Sequence, residues 1–242
     1  MSLRVLLIGG TDSSGGAGLA RYIATITPMG AEARIAVTAV TAQTDARVCA
    51  VQLMSPDLVA QQISAATGVA AVKIGMLGAA PIVDAVVRNL PTAPLVLDPV
   101  IASTSGRPLL DAAGRAALVR DLVPRATLLT PNLPELRLLA AGLGLATGCD
   151  ETTIVEALMA GGCPAVLVKG GHADMATTCE DRLYLANGRC QTFSGPRYGH
   201  ALRGTGCQLA SAIAVTLGRG GDLPTAVDIA RRLVTARFRG AA

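Results

Sequence analysis

The chain has 242 residues, a formal net charge of +4, 51% apolar residues, no Trp, two Phe and three Tyr. That length supports one large domain or two small ones with a full core. The scarcity of aromatics and of Lys/Arg blocks excludes a stacking platform for nucleic acid, and no apolar run reaches the length of a membrane span. The six cysteines (Cys49, Cys149, Cys163, Cys179, Cys190, Cys207) form no C-x-x-C pair, and with only two histidines a zinc site is not expected. They read as reduced thiols of a cytoplasmic protein without a leader peptide.

Residues 4–8, Arg-Val-Leu-Leu-Ile, predict a short buried strand closed by glycines. Residues 9–18, Gly-Gly-Thr-Asp-Ser-Ser-Gly-Gly-Ala-Gly, predict a loop that a ligand can approach closely. Residues 19–29 predict a helix. A dinucleotide fingerprint is not formed: no G-x-G-x-x-G directly follows the strand, and no acidic residue closes a second strand at the usual distance. Residues 33–41 alternate as a strand that leads into Gln43. A carboxamide there offers one acceptor and two donors in a plane, which matches a heteroaromatic edge bearing an amino group beside a ring nitrogen. A surface-loop glutamine carries the same signature. Ser55-Pro56-Asp57 opens a helix over 56–67.

Residues 69–74 predict a strand, followed by the turn Gly75-Met76-Leu77-Gly78, where Met76 either lines a flat ligand or fills the core. After a helix over 81–90 and a strand over 94–97, Asp98 stands at a strand's C-terminal end, where α/β sheets bind ligands. A polar loop over 102–106 and a helix over 109–122 follow. The strand over 126–129 ends in Thr130-Pro131-Asn132-Leu133-Pro134-Glu135. Asn132 caps the next helix and Glu135 falls in its first turn; the functional alternative has Glu135 helping to hold a hydrated Mg²⁺. A helix over 152–161 and a strand over 165–168 lead to Lys169-Gly170-Gly171-His172, which fits either a phosphate neighbourhood or a turn with a solvated lysine. Residues 182–186 and 189–193 predict a hairpin around Asn187-Gly188.

A polar loop over 194–202 then opens through Gly204-Thr205-Gly206-Cys207 into an apolar helix, with a last helix over 223–237. Glycines at a loop-to-helix junction let backbone N–H groups converge, and the helix dipole adds to them, so the junction suits a phosphate. Cys207 falls in the first turn, where a thiol ionises more easily. Strand and helix alternate with no internal repeat or linker. The expected fold is therefore α/β, a three-layer α/β/α domain over 1–242 with a mainly parallel sheet and its motifs gathered along one edge.

Seven motifs in order carry a resemblance that covers nearly the whole chain. They are Gly9-Gly10-Thr11-Asp12 with Gly15-Gly16-Ala17-Gly18, Thr41-Ala42-Gln43, Lys73-Ile74-Gly75-Met76-Leu77, Asp98-Pro99-Val100 with Thr104-Ser105-Gly106, the 130–135 segment, Lys169-Gly170-Gly171-His172 and Gly204-Thr205-Gly206-Cys207. The chain resembles the hydroxymethylpyrimidine/phosphomethylpyrimidine kinases of thiamine biosynthesis, which have the ribokinase-like fold. The resemblance implies an ATP- and Mg²⁺-dependent kinase of a small pyrimidine, acting as a homodimer. It places Gln43 on the pyrimidine edge and Gly10, Thr41, Met76 and Val100 around the ring. The amides of Gly204, Thr205, Gly206 and Cys207 form the anion hole, and Cys207 stands where many relatives have an aspartate base. Asp98 and Glu135 fall near Mg²⁺, and Lys169 and Asn132 by the nucleotide. Three positions depart from the pattern. Tyr22 replaces a substrate-side aspartate, where it either donates a hydrogen bond or crowds the ring. Arg203 replaces a histidine and adds a positive charge beside the transferring group. The segment 198–202 is shorter and lacks the usual Lys and Asn. These departures keep two alternatives open: a pyridoxal-type vitamin kinase on the same fold, and a weakly active pyrimidine-binding regulatory protein.

Overall fold

A computed structural model of the chain describes residues 2–103, 105–170 and 178–241. Among the described residues, nine strands form one sheet: β1 (Leu3–Asp12), β2 (Ala31–Gln43), β3 (Val48–Leu53), β4 (Ala71–Ile74), β5 (Leu95–Leu97), β6 (Leu128–Leu129), β7 (Ala165–Val168), β8 (Thr178–Leu185) and β9 (Cys190–Pro196). In the same residues eight α-helices accompany them: α1 (Gly18–Ile26), α2 (Pro56–Ala65), α3 (Ala80–Asn89), α4 (Ala112–Ala117), α5 (Leu133–Gly142), α6 (Glu151–Ala160), α7 (Thr205–Gly218) and α8 (Leu223–Gly240). The strand order is β3-β2-β1-β4-β5-β6-β7-β8-β9. The central run from β2 to β7 is parallel, and β3, β8 and β9 pair antiparallel at the margins. No helix among the described residues is long and apolar enough to cross a membrane.

The central strands are buried on both faces, and their side chains alternate between two apolar layers. Leu6, Ile8, Val72, Ile74, Leu95, Leu97 and Leu129 pack under α2 to α6. Val5, Leu7, Ala71, Val96 and Leu128 pack under α1, α7 and α8. The same parity puts Lys73 on the α1/α7 face. Neighbouring connections leave the sheet in opposite directions at β1, which lies between β2 and β4. Ligands of open α/β sheets settle in the crevice at such a reversal.

The structure departs furthest from the sequence expectation at three places. Residues 9–12, read as loop, continue β1, because β2 runs beside them as far as Thr41, with a register shift between Gly9 and Gly10 absorbing the strain. The edge strand β3 was not expected. The helix expected over 109–122 begins at Ala112, capped by Asp111, and passes at Leu118 into a wider π-type turn ending at Leu122.

Candidate active site

Gly204 is the N-cap of α7, in the left-handed region at φ +73°, and no side chain caps the helix. The Gln208 N–H reaches the Gly204 carbonyl at 2.9 Å, so the N–H groups of Thr205, Gly206 and Cys207 precede the first intrahelical bond. Ser55, Asp111, Asn132, Asp150 and Asp222 fill that role with side-chain oxygens on α2, α4, α5, α6 and α8. The bare start of α7 keeps its amides and its positive dipole end available to an anion. A side chain at 204 is barred by geometry: its Cβ would stand 2.3 Å from the Gly16 carbonyl oxygen. Gly204→Ala is expected to cost about 1–3 kcal/mol of stability from the conformation alone, and to lower turnover by displacing the amides. Urea midpoints and steady-state rates check the two effects separately.

Lys169 brings the strand ends to this helix. Its Nζ lies 3.2 Å from where a Gly206 Cβ would sit, 2.9 Å from Asp98 Oδ1 and 3.8 Å from Glu135 Oε2. Burial opposes the charge on Lys169, but Asp98 and Glu135 outweigh it and raise the pKa. Asp98 follows β5 and is 2% exposed. Burial pushes its pKa up, yet Lys169 and Lys73 hold the carboxyl below its usual range. Glu135 is pushed up to about 7 by burial and by Asp98, against Lys169. It also completes a capping box: its Oε2 accepts from the Asn132 N–H at 2.9 Å, and Asn132 Oδ1 accepts from the Glu135 N–H at 2.8 Å. Asn132, expected at the nucleotide, thus commits its oxygen to fixing Glu135. Gly171, His172 and Thr104 of the expected motifs lie outside the described residues.

Lys73, to which sequence reasoning gave no role, is fully buried, and its Nζ is a buried atom without a hydrogen-bond partner among the described residues. Asp98 Oδ2 stands 3.5 Å away as an ion pair, and the Tyr22 ring centroid lies 3.4 Å below the ammonium. A desolvated cation–π contact of this kind is worth about 2 kcal/mol. Tyr22 fits because its neighbours on β1 and just past β4 lack side chains: a Cβ on Gly9 would meet its Cε2 at 2.9 Å, and one on Gly75 would meet its hydroxyl at 2.1 Å. Expected beside the substrate, Tyr22 instead lies 1% exposed in the core, and burial pushes its hydroxyl well above the usual tyrosine range. The expectation of an easily ionised Cys207 is reversed as well. Burial pushes the thiol up; Lys73, the Gly18 N–H and Lys169 pull against it without prevailing. A helix dipole is outweighed where the sulfur is desolvated.

The residues expected around a ring lie at or just past the ends of β1, β2, β4 and β5. A Cβ on Gly10 would meet Met76 Sδ at 3.0 Å, so the methionine lies against the bare backbone. Thr41 donates its hydroxyl to the Thr11 carbonyl at 2.7 Å. Val100 is half-buried, its N–H on the Asp98 carbonyl at 2.8 Å. Gln43, half-buried, lines a small cavity with Asp45, Arg47, Ser103, Ser105 and Arg203. Arg203 does not extend a free charge toward α7. Its guanidinium turns to the 12–16 segment, donating to Asp12 Oδ2 at 3.0 Å, Asp45 Oδ1 at 2.9 Å and Ser14 Oγ at 2.5 Å. Two carboxylates draw it away from the helix start. Asp12, whose part was also missed, lay in a segment read as loop. Lys73 had left a signal, a lone cation inside the apolar run Ala71-Val72-Lys73-Ile74.

Residues 12–242 match the family model for phosphomethylpyrimidine kinase. A hydroxymethylpyrimidine/phosphomethylpyrimidine kinase from Mycobacterium bovis is 42% identical, with 98% of this chain and 89% of that protein aligned. The crystal structure of phosphomethylpyrimidine kinase from Clostridium difficile superposes with a TM-score of 0.81 at 31% identity, covering 98% of this chain and 99% of that one. A pyridoxal kinase from Staphylococcus aureus, in complex with AMP-PCP and pyridoxal, superposes with a TM-score of 0.84 at 26% identity, covering 97% and 87%.

Proposed function

Since the chain belongs to the phosphomethylpyrimidine kinase family, we propose that it transfers the γ-phosphoryl group of ATP to a hydroxymethylated aminopyrimidine or its monophosphate, with all of 1–242 acting as one kinase domain. The observation that carries this reading is the meeting of the uncapped α7 start, Lys169 and the Asp98/Glu135 pair at adjoining strand ends.

Phosphoryl transfer asks for positioning and charge stabilisation rather than covalent help. The N–H groups of Thr205, Gly206 and Cys207 receive the oxygens of the transferring group. Lys169, kept protonated, adds a full charge beside them. Losing one such preorganised donor typically costs about 3 kcal/mol of transition-state stabilisation. Asp98 and Glu135 are hard oxygen ligands of the kind that hold Mg²⁺ together with phosphate oxygens and water; bound there, the ion supplies charge neutralisation between phosphates. The site fits it chemically, since Asp98 is held ionised and Glu135 releases its proton near neutrality. Cys207, whose thiol burial pushes up, serves the site by its place in the first turn of α7 rather than as a strong base.

Gln43 takes the ring edge, and steady-state kinetics of Gln43→Leu tests the reading. The KM for the aminopyrimidine is expected to rise about ten-fold or more, as for loss of a paired polar contact, with kcat changed far less. Unchanged KM removes Gln43 from the ring. Faster turnover of pyridoxal than of the aminopyrimidine by the unmodified protein overturns the substrate class.

A further inference from the structure

The antiparallel ladder between β7 and β8 ends where Val168 pairs with Arg182. Just beyond it the chain is held differently. The Gly170 N–H donates to a side chain of β8, Asp181 Oδ1, at 2.9 Å, where a continuing ladder would offer a carbonyl. The two main chains come close at this point: a Cβ on Gly170 would stand 1.8 Å from the Glu180 carbonyl oxygen. On its other side, the Lys169 N–H donates to the Pro131 carbonyl at 2.9 Å, beside the bridge between Asn132 and Lys169. The backbone that carries Lys169 is thus fastened to its neighbours in both directions. Asp181 is 6% exposed, and strand parity puts it with Leu183 on the face covered by α1, α7 and α8. A buried carboxylate needs partners for both oxygens. Oδ1 has the Gly170 N–H, and Oδ2 pairs with Arg231 of α8. Arg231 is seated in turn: it donates to the Cys179 carbonyl at 3.3 Å, and a Cβ on Gly195 of β9 would come within 3.0 Å of its Nη2.

We propose that Asp181 is a positioning residue for Lys169: by holding the Gly170 N–H it fixes the main chain under the lysine, and through it the ammonium that faces Asp98 and the start of α7. The proposal rests on Lys169 serving the transferring phosphate. A lysine side chain is long and flexible, so its Nζ stays 2.9 Å from Asp98 only while its own backbone is fixed. A bond from a backbone N–H to a charged carboxylate is stronger than one to a ladder carbonyl. Arg231 extends the same chain of contacts to α8, which gives the C-terminal helix a part in a site that it does not line.

Lys73 and Lys169 are the chain's two lysines, so labelling lysine with ¹³C at the ε-carbon gives two NMR signals from the full-length protein, assigned by Lys169→Met. Asp181→Ala is expected to shift the Lys169 signal and leave that of Lys73 in place. It is also expected to lower kcat about thirty-fold or more, the scale of an ångström-sized misplacement, with the calorimetric Kd for the aminopyrimidine within about two-fold. In the Lys169→Met background the same substitution is expected to cost no more than about two-fold further, because residues that act as one unit are lost together. Asp181→Asn stands in where Asp181→Ala does not fold. Its one oxygen goes to the charged Arg231, leaving the Gly170 N–H against an NH₂ group, and the same pattern is expected at about ten-fold. Equal losses in the two backgrounds overturn the proposal, since a merely structural role gives them. So does an unmoved Lys169 signal or a near-normal kcat. Failure of the underlying reading looks different: Lys169→Met itself keeps a near-normal kcat, and the proposal falls with it.

Discussion

Lys169→Met is expected to lower turnover about a thousand-fold, the scale seen when a preorganised donor to a developing charge is lost, and to cost about 3–5 kcal/mol of stability near pH 8. The lysine stands 2.9 Å from Asp98 and 3.8 Å from Glu135. Without it, among the described residues, Asp98 keeps Lys73 at 3.5 Å as its paired cation, and Glu135 faces a buried anion with no cation between them. The glutamate responds by holding its proton more tightly, so the stability deficit shrinks at pH 5, where Glu135 is neutral in both chains. Adding Asp98→Asn to the variant removes the stranded charge and is expected to recover part of the stability but none of the turnover. Urea midpoints at pH 5 and pH 8, with steady-state rates for both variants, separate the two roles. A near-normal kcat in Lys169→Met removes the lysine from the phosphate; an unchanged midpoint at pH 8 means the paired carboxylates impose no burial cost.

The α/β/α layering was legible because the central strands are apolar on both faces and end in glycine or a polar residue, a pattern that depends only on local sequence. Asp98, Lys169 and Gly204 could be placed at the active edge for the same reason. What local sequence did not show depends on distant neighbours. Gly9 to Asp12 form strand only because β2 lies alongside, and β3 exists only as a partner for the end of β2. Tyr22 was placed on the substrate side by the resemblance, in which it stands where relatives have an aspartate. Its actual place follows from the bare backbones of Gly9 and Gly75 and from the parity that turns Lys73 toward α1. Cys207 shows the same limit: its position at a helix start is visible in sequence, whereas its protonation is set by burial and by Lys73, Asp98 and Lys169, which come from distant strands.

Glu135 makes the stability of this chain fall as pH rises through the weakly acidic range. In the unfolded chain the glutamate titrates near 4.5; in the folded site its pKa is pushed up to about 7 by burial and by Asp98. Below 4.5 it is protonated in both states, and above 7 it is ionised in both. Between these values the folded state holds the proton that the unfolded state has released, so proton binding favours folding and each rise in pH weakens it. Across the window the loss is about 3 kcal/mol, and it persists at higher pH. Asp98 has the opposite sign, but its lowered pKa confines its contribution to the acid side of this window. Glu135→Gln keeps an oxygen for the Asn132 N–H and so preserves the capping box, while removing the titration. The difference in urea-unfolding free energy between the two chains, followed from pH 4.5 to pH 8 without metal or nucleotide, is therefore expected to move in favour of Glu135→Gln as pH rises and to level off above 7. A difference that stays flat across that range means the glutamate is not desolvated as the fold requires, and one that moves the other way means Lys169 outweighs burial and holds the carboxylate charged throughout.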